Sequence, residues 1–187
     1  MSFIFTKCLI EGLYEIQPDV HGDSRGFFIE TYKKEDFFSA GLTMDFVQDN
    51  MSHSKRGVLR GLHFQKKHPQ GKLVSVVEGE VFDVAVDLRK KSPTFGKYYS
   101  VVLSSEKHNM FYIPEGFAHG FAVLTESATF CYKCTDVYHP EDEYIIRWND
   151  PTIDIKWPDF DSAPLLSPKD TQAPFFDPTQ SYFQDIL

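Results

Sequence analysis

Along most of this chain, apolar positions recur at every second residue, in short runs broken by Gly, Pro, Asn or Asp. That period belongs to β-strands with one buried face. Leu73–Val77 and Val81–Leu88 read as two such strands joined at Glu78-Gly79, a hairpin signal. In the second, Phe82, Val84, Val86 and Leu88 share one face, while Val81, Asp83, Ala85 and Asp87 share the other. A carboxylate alternating with small apolar residues fits a cavity edge, and fits a solvent-facing sheet nearly as well. Residues 3–17 form one or two opening strands, His21–Gly26 a turn and Phe27–Tyr32 another strand. Phe46–Asn50, 57–65, Tyr98–Leu103, Phe111–Ile113, Gly120–Leu124 and Ala128–Tyr138 continue the series. Lys33–Ala40 reads as the one helix, ended by Gly41. After Pro140 the period dissolves into a Pro- and Asp-rich stretch. Residues 140–187 are therefore expected to be coil and short turns covering the sheets. Phe175, Phe176, Tyr182, Phe183 and Leu187 mark a tail that packs on something. Many short strands with almost no helix predict an all-β sandwich or barrel, in a single domain over residues 1–187.

Composition refines this picture. Hydrophobic residues make up 42% and aromatics 16%, enough for a packed core. The net charge of −8 disfavours long nucleic acid and anionic membrane surfaces. It leaves room for a small anion held by a few local cations. Cys8, Cys131 and Cys134 are few and odd in number, which reads as reduced thiols. Cys131-x-x-Cys134 lacks both a second cysteine pair and a βαβ setting, so it reads as two buried thiols. The start, Met1-Ser-Phe-Ile-Phe, carries no basic segment or long apolar stretch, and no run reaches the roughly 18 apolar residues of a membrane span. A cytoplasmic protein is expected.

The candidate chemistry centres on Gly57-Val-Leu-Arg-Gly-Leu-His-Phe-Gln65, which sets Arg60 and His63 in a buried strand. A lone core histidine satisfied by a neighbour, with a snorkelling arginine, is the ordinary explanation. Gln48, Asn50, Lys72, His119, Tyr132 and Asp170 weigh against it, because they stand in similar apolar strands or at strand ends. Strict alternation would put Arg60 and His63 on opposite faces; Gly61 between them marks a candidate bulge. Taken singly, Tyr132 reads as a core tyrosine, and Asp170, Glu30 and Glu143 as solvated carboxylates. Arg25 reads as closing a turn on Asp23.

Pro114-Glu-Gly-Phe-Ala-His119 fits the second cupin motif, Pro-x-Gly-x-x-His. In the first motif the second histidine is replaced by Gln65, leaving too few ligands for a catalytic metal. The chain thus resembles a cupin-type jelly roll turned to acid–base work. Gly22–Phe28, Phe46–Asn50, Gly57–Gln65, Gly71–Val74, Phe82–Arg89, Ser92–Gly96, Ile113–Phe121, Tyr138, Trp148–Pro151 and Ser167–Asp170 together resemble the dTDP-4-dehydrorhamnose 3,5-epimerase family. The resemblance covers roughly residues 3–175 and implies inversion of C3 and C5 of a dTDP-4-keto-6-deoxyhexose, without cofactor or metal. Both carbons flank the C4 ketone, so the reaction needs a base, an acid on the opposite face and a donor for the enolate oxygen. By resemblance His63 is the base, Tyr132 the acid, Asp170 the partner that orients His63, and Lys72 the enolate donor. Arg25, Glu30, Gln48, Asp49, Asn50, Arg60, His119, Glu143 and Lys169 would bind the dTDP-sugar substrate. Arg25 and Glu30 would reach a neighbour's site through N-terminal strands exchanged in a homodimer. A relative that inverts C3 alone, a non-catalytic sugar-nucleotide-binding cupin and, last, a metal-dependent oxygenase are the other readings.

Overall fold

The computed structural model describes residues 2–160 and 162–183; Leu187 lies outside them. Among the described residues, thirteen strands carry the fold: β1 (Phe3–Lys7), β2 (Tyr14–Pro18), β3 (Val20–Asp23), β4 (Gly26–Ile29), β5 (Gln48–Lys55), β6 (Leu59–Gln65), β7 (Lys72–Glu78), β8 (Glu80–Asp87), β9 (Tyr98–Ser104), β10 (Met110–Ile113), β11 (Phe117–Val123), β12 (Ser127–Cys134) and β13 (Glu143–Ile145). Two short helices, α1 (Lys34–Ser39) and α2 (Pro168–Thr171), complete them. A six-stranded sheet ordered β1-β2-β10-β7-β12-β5 faces a five-stranded sheet ordered β13-β6-β11-β8-β9. Together they make a cupin-type jelly roll, the sandwich that the strand pattern predicts and the type that the cupin motif implies. β3 and β4 stand apart as a two-stranded hairpin.

Between the sheets lie Val74, Val76, Phe111 and Phe130 of one layer and Val81, Ala85, Leu103, Phe121 and Val123 of the other. The outer face of the five-stranded sheet is buried as well. There Val84, Val86 and Leu88 pack with Ile153, Ile155, Phe176, Tyr182 and Phe183 from the C-terminal segment. This segment is an apolar cover, and its Tyr182 ring stacks on Phe176 at 5.5 Å. Burying a side chain of this kind contributes about 1.5–3 kcal/mol.

Some sequence expectations change, and one open alternative is decided. Glu78-Gly79 does not close a hairpin: β7 pairs with β10 and β12, while β8 pairs with β9 and β11. Gly79 turns the chain from one sheet into the other, with φ at +75° and the Ser127 carbonyl packed where a Cβ would stand. A local Glu-Gly signal reports a turn and carries no information about which strands it joins. The Asp83 and Asp87 face of β8 looks into the protein, not into solvent, for both residues are fully buried. The last strand of the six-stranded sheet stops at Cys134, short of the expected Tyr138.

Candidate active site

A cleft of about 310 Å³ opens between the two sheets. Gln48, Asn50, Lys72 and Tyr132 line it from the six-stranded sheet. Arg60, His63, His119 and Glu143 line it from the five-stranded sheet.

Arg60 and His63 reach the same cleft through a break in register. His119 pairs with His63 and Phe121 with Arg60, so two steps on β11 span three on β6. The extra residue switches the strand's facing. Gly61 permits it: φ is +133°, and an added Cβ would stand 2.5 Å from the Gly120 Cα. Gly120 in turn has no room for a Cβ beside the Arg60 carbonyl, at 2.7 Å. The two glycines let β6 and β11 close over the bulge.

His63 Nε2 lies 2.6 Å from Asp170 Oδ1. Asp170 stands in α2, a single turn that the sequence pattern leaves as coil. Ser167 caps that turn: its hydroxyl accepts from the Asp170 N–H at 3.1 Å and donates to Asp170 Oδ2 at 2.8 Å. The Ser-x-x-Asp spacing was the available signal. Upstream, Leu165 forms a parallel bridge with Val58, which docks the segment beside β6. Burial opposes ionisation of Asp170, yet the His63 and Ser167 bonds hold its carboxyl below the usual range. An ionised carboxylate only accepts, so Nε2 carries the proton and Nδ1 keeps the free lone pair.

A second pair lies beside the first. His119 Nε2 is 2.9 and 3.1 Å from the two Asp83 oxygens. Its ring stacks on Phe130 at 5.9 Å. Sequence reasoning left Asp83 on either a cavity edge or a solvent-facing sheet and gave it no partner; its place in an otherwise apolar strand was the signal.

Tyr132 faces the five-stranded wall from β12. Burial pushes its phenol above the ordinary value of 10.0, and Arg60 only partly offsets this, so it stays protonated at neutral pH. Lys72 sits near it, its ammonium 6.0 Å from the ring centre. Burial pushes the Lys72 ammonium below its ordinary value of 10.5. Among the described residues, neither Lys72 nor Arg60 pairs with a carboxylate; Arg60 bonds only the Ser54 hydroxyl, at 3.1 and 3.2 Å. A chain of net charge −8 thus keeps two cations in its cleft without a directly bonded carboxylate, a setting for a multiply charged anion.

A cupin metal does not fit these donors. Both histidine Nε2 atoms face carboxylates. The amide of Gln65 is fully engaged: it donates to the His68 and Val137 carbonyls and accepts from the His139 N–H.

The chain matches the family model of dTDP-4-dehydrorhamnose 3,5-epimerase over residues 7–178. It belongs to that family. A Pseudomonas aeruginosa dTDP-4-dehydrorhamnose 3,5-epimerase is 54% identical over 172 residues, covering 91% of this chain and 94% of the relative. The Salmonella typhimurium enzyme of the same name is 52% identical over 176 residues, covering 93% and 96%. Among solved structures, a dTDP-6-deoxy-D-glucose-3,5-epimerase from Legionella pneumophila, in complex with dTDP-4-keto-L-rhamnose, superposes with a TM-score of 0.90. It is 51% identical and covers 92% of each chain.

The remaining residues that the family resemblance points to are divided between the cleft, its rim and the outer surface. Glu143 lines the cleft and accepts from Lys169 at 2.8 Å, which puts Lys169 at the rim. Asp49 turns away from Gln48 and Asn50, as strand alternation requires, and bonds Lys133 at 2.9 Å on the other side of the sheet. Arg25 sits at the tip of the β3–β4 hairpin, 88% exposed and folded onto Asp23. Neither Arg25 nor Glu30 touches the cleft of its own chain. Tyr138 and Gln70, named for no role from the sequence, line the mouth.

Proposed function

We propose that the protein inverts C3 and C5 of dTDP-4-dehydro-6-deoxy-D-glucose to give dTDP-4-dehydro-L-rhamnose. The observation that carries this reading is the placing of His63 and Tyr132 on opposite walls of one cleft. A flat enolate between them meets a base on one face and an acid on the other, which is what inversion requires. His63, oriented by Asp170, removes the proton beside the C4 ketone. Lys72 lies on the Tyr132 wall and stabilises the enolate oxygen. Tyr132 returns a proton from the far face. Arg60 takes the diphosphate, with Gln48, Asn50 and His119 around it and the Glu143–Lys169 pair at the rim.

The working protein is a homodimer in this reading, with the β3–β4 hairpins exchanged so that Arg25 and Glu30 complete the partner's cleft. Two features support it. The hairpin carries Phe27 and Phe28 at 63% and 65% exposure. Ile4, Met51 and Val77 are exposed on the six-stranded sheet. Among the described residues no helix is long and apolar enough to cross a membrane. The three thiols are free, as in a reducing compartment, and we assign the protein to the cytoplasm.

Turnover in D₂O tests the chemistry. Deuterium at both C3 and C5, with both centres inverted, is the expected outcome. Deuterium confined to C3 would make the protein a C3-only epimerase. No exchange, with tight binding of dTDP, would leave a binding module. The dimer has its own test. Arg25→Ala and His63→Asn proteins, each inactive, should regain part of the turnover after mixing and subunit exchange. No recovery despite demonstrated exchange would refute the shared site.

A further inference from the structure

We propose that His68, Asp136 and His139 form a binding site for a divalent transition-metal ion of the imidazole-preferring kind, Zn²⁺ foremost, on the rim of the cleft and apart from its reacting centre.

These three residues come from two segments, the β6–β7 loop and the stretch that follows β12. One ligand atom from each lies within 4.8 Å of the other two. The imidazoles stack at 4.0 Å with 19° between their planes. His68 Nδ1 is 3.6 Å from Asp136 Oδ2. Donors bound to one tetrahedral ion stand about 3.3 Å apart, so modest rotation of partly exposed side chains closes the set. Two imidazoles and a carboxylate, with a position left for water or for nearby Glu141, suit Zn²⁺, Ni²⁺ or Cu²⁺ better than Mg²⁺ or Ca²⁺. Glu141 Oε1 already lies 3.3 Å from His139 Nδ1.

The backbone beneath the cluster is built, not loose. Buried Asp142 accepts from the N–H groups of Lys67 and His68, at 2.7 and 2.8 Å. The Gln65 amide spans both segments, bonding the His68 carbonyl at 2.6 Å and the His139 N–H at 2.7 Å. Gln70 bonds the Asp136 carbonyl at 2.8 Å. Gln65 is the position where the cupin motif would supply a second histidine. Here it instead fixes the two segments that carry this cluster. A bound ion would tie together the stretches bearing Gln70 and Tyr138 at the cleft mouth, so it would stiffen the entrance without entering the reaction.

The test is calorimetric titration of Zn²⁺ into the full chain after stripping with a chelator. We expect one saturable site per chain at micromolar Zn²⁺ and a higher Tm with the ion bound. His68→Ala, its milder variant His68→Gln and His139→Ala should each weaken binding at least tenfold while the apo-protein's Tm stays near the native value. Asp136→Asn should weaken it less. His63→Asn should bind Zn²⁺ as the native protein does, and the native protein's turnover should be the same with and without chelator. Absence of a saturable site, or unchanged affinity in the His68 and His139 variants, would overturn the proposal. So would loss of binding in His63→Asn, since that would put the ion in the cleft.

Discussion

The cleft holds two histidine–aspartate pairs whose histidines face each other across β6 and β11, yet the pairs are built differently. His63 is 31% exposed, and its aspartate arrives from a one-turn helix in the C-terminal segment. His119 is 9% exposed, and its aspartate comes from the adjacent strand β8 of the same sheet. The first imidazole can meet a substrate and exchange protons while Asp170 holds its tautomer. The second is clamped by two carboxylate oxygens and an aromatic ring. It is suited to fixed hydrogen bonding and to holding the wall together. The same two residue types thus separate into a mobile-proton pair and a framework pair. Burial and the origin of the carboxylate decide which is which.

Breaking the first pair should have the largest effect on turnover. His63→Asn removes the proposed base and should lower kcat by about 10²–10⁴-fold while dTDP still binds. Asp170→Asn should cost less, roughly tenfold to a hundredfold, because the base survives with poorer orientation. It should add little on top of His63→Asn, since the two act as one unit. Near-normal kcat in His63→Asn would place the base elsewhere.

Breaking the second pair should appear in stability first. Asp83→Asn replaces a fully buried carboxylate and should lower unfolding free energy by about 1–3 kcal/mol in urea titration, with a smaller loss of kcat than Asp170→Asn. Equal losses of kcat in the two variants, with stability intact, would erase the distinction drawn here.

The subtlest test is the pH profile. Burial lowers Lys72 from its ordinary 10.5 and raises Tyr132 from its ordinary 10.0, and the Lys72→Arg substitution tells their limbs apart. The alkaline limb of kcat/KM, which reports the free enzyme, should fall below 10.5 and move upward in Lys72→Arg. A limb that ignores this substitution would assign it to another group. On the acid side, Asp170 is held below its ordinary 3.8, so its contribution to stability is present above 3.8 and is lost only as pH falls through the lower folded value.

The sequence by itself determined the class of fold and singled out most of the polar residues that line the cleft. Alternation marked the strands because one face of each must be buried. Long motifs carried the family, and Gln48 with Asn50 on one face of β5 followed from a two-residue period alone. The tertiary structure decided what local pattern cannot encode. Glu78-Gly79 announced a turn, and only packing made it a crossing between sheets. Asp83 and Asp170 were visible as residues. That one is paired with a histidine on the next strand, and the other with a histidine more than a hundred positions away, depends on long-range closure. Arg60 and His63 share a cleft for the same kind of reason. Gly61 is legible as a permissive residue, but the bulge exists because Gly120 on the neighbouring strand leaves room for it. Periodicity reads one strand at a time, and register is a property of two.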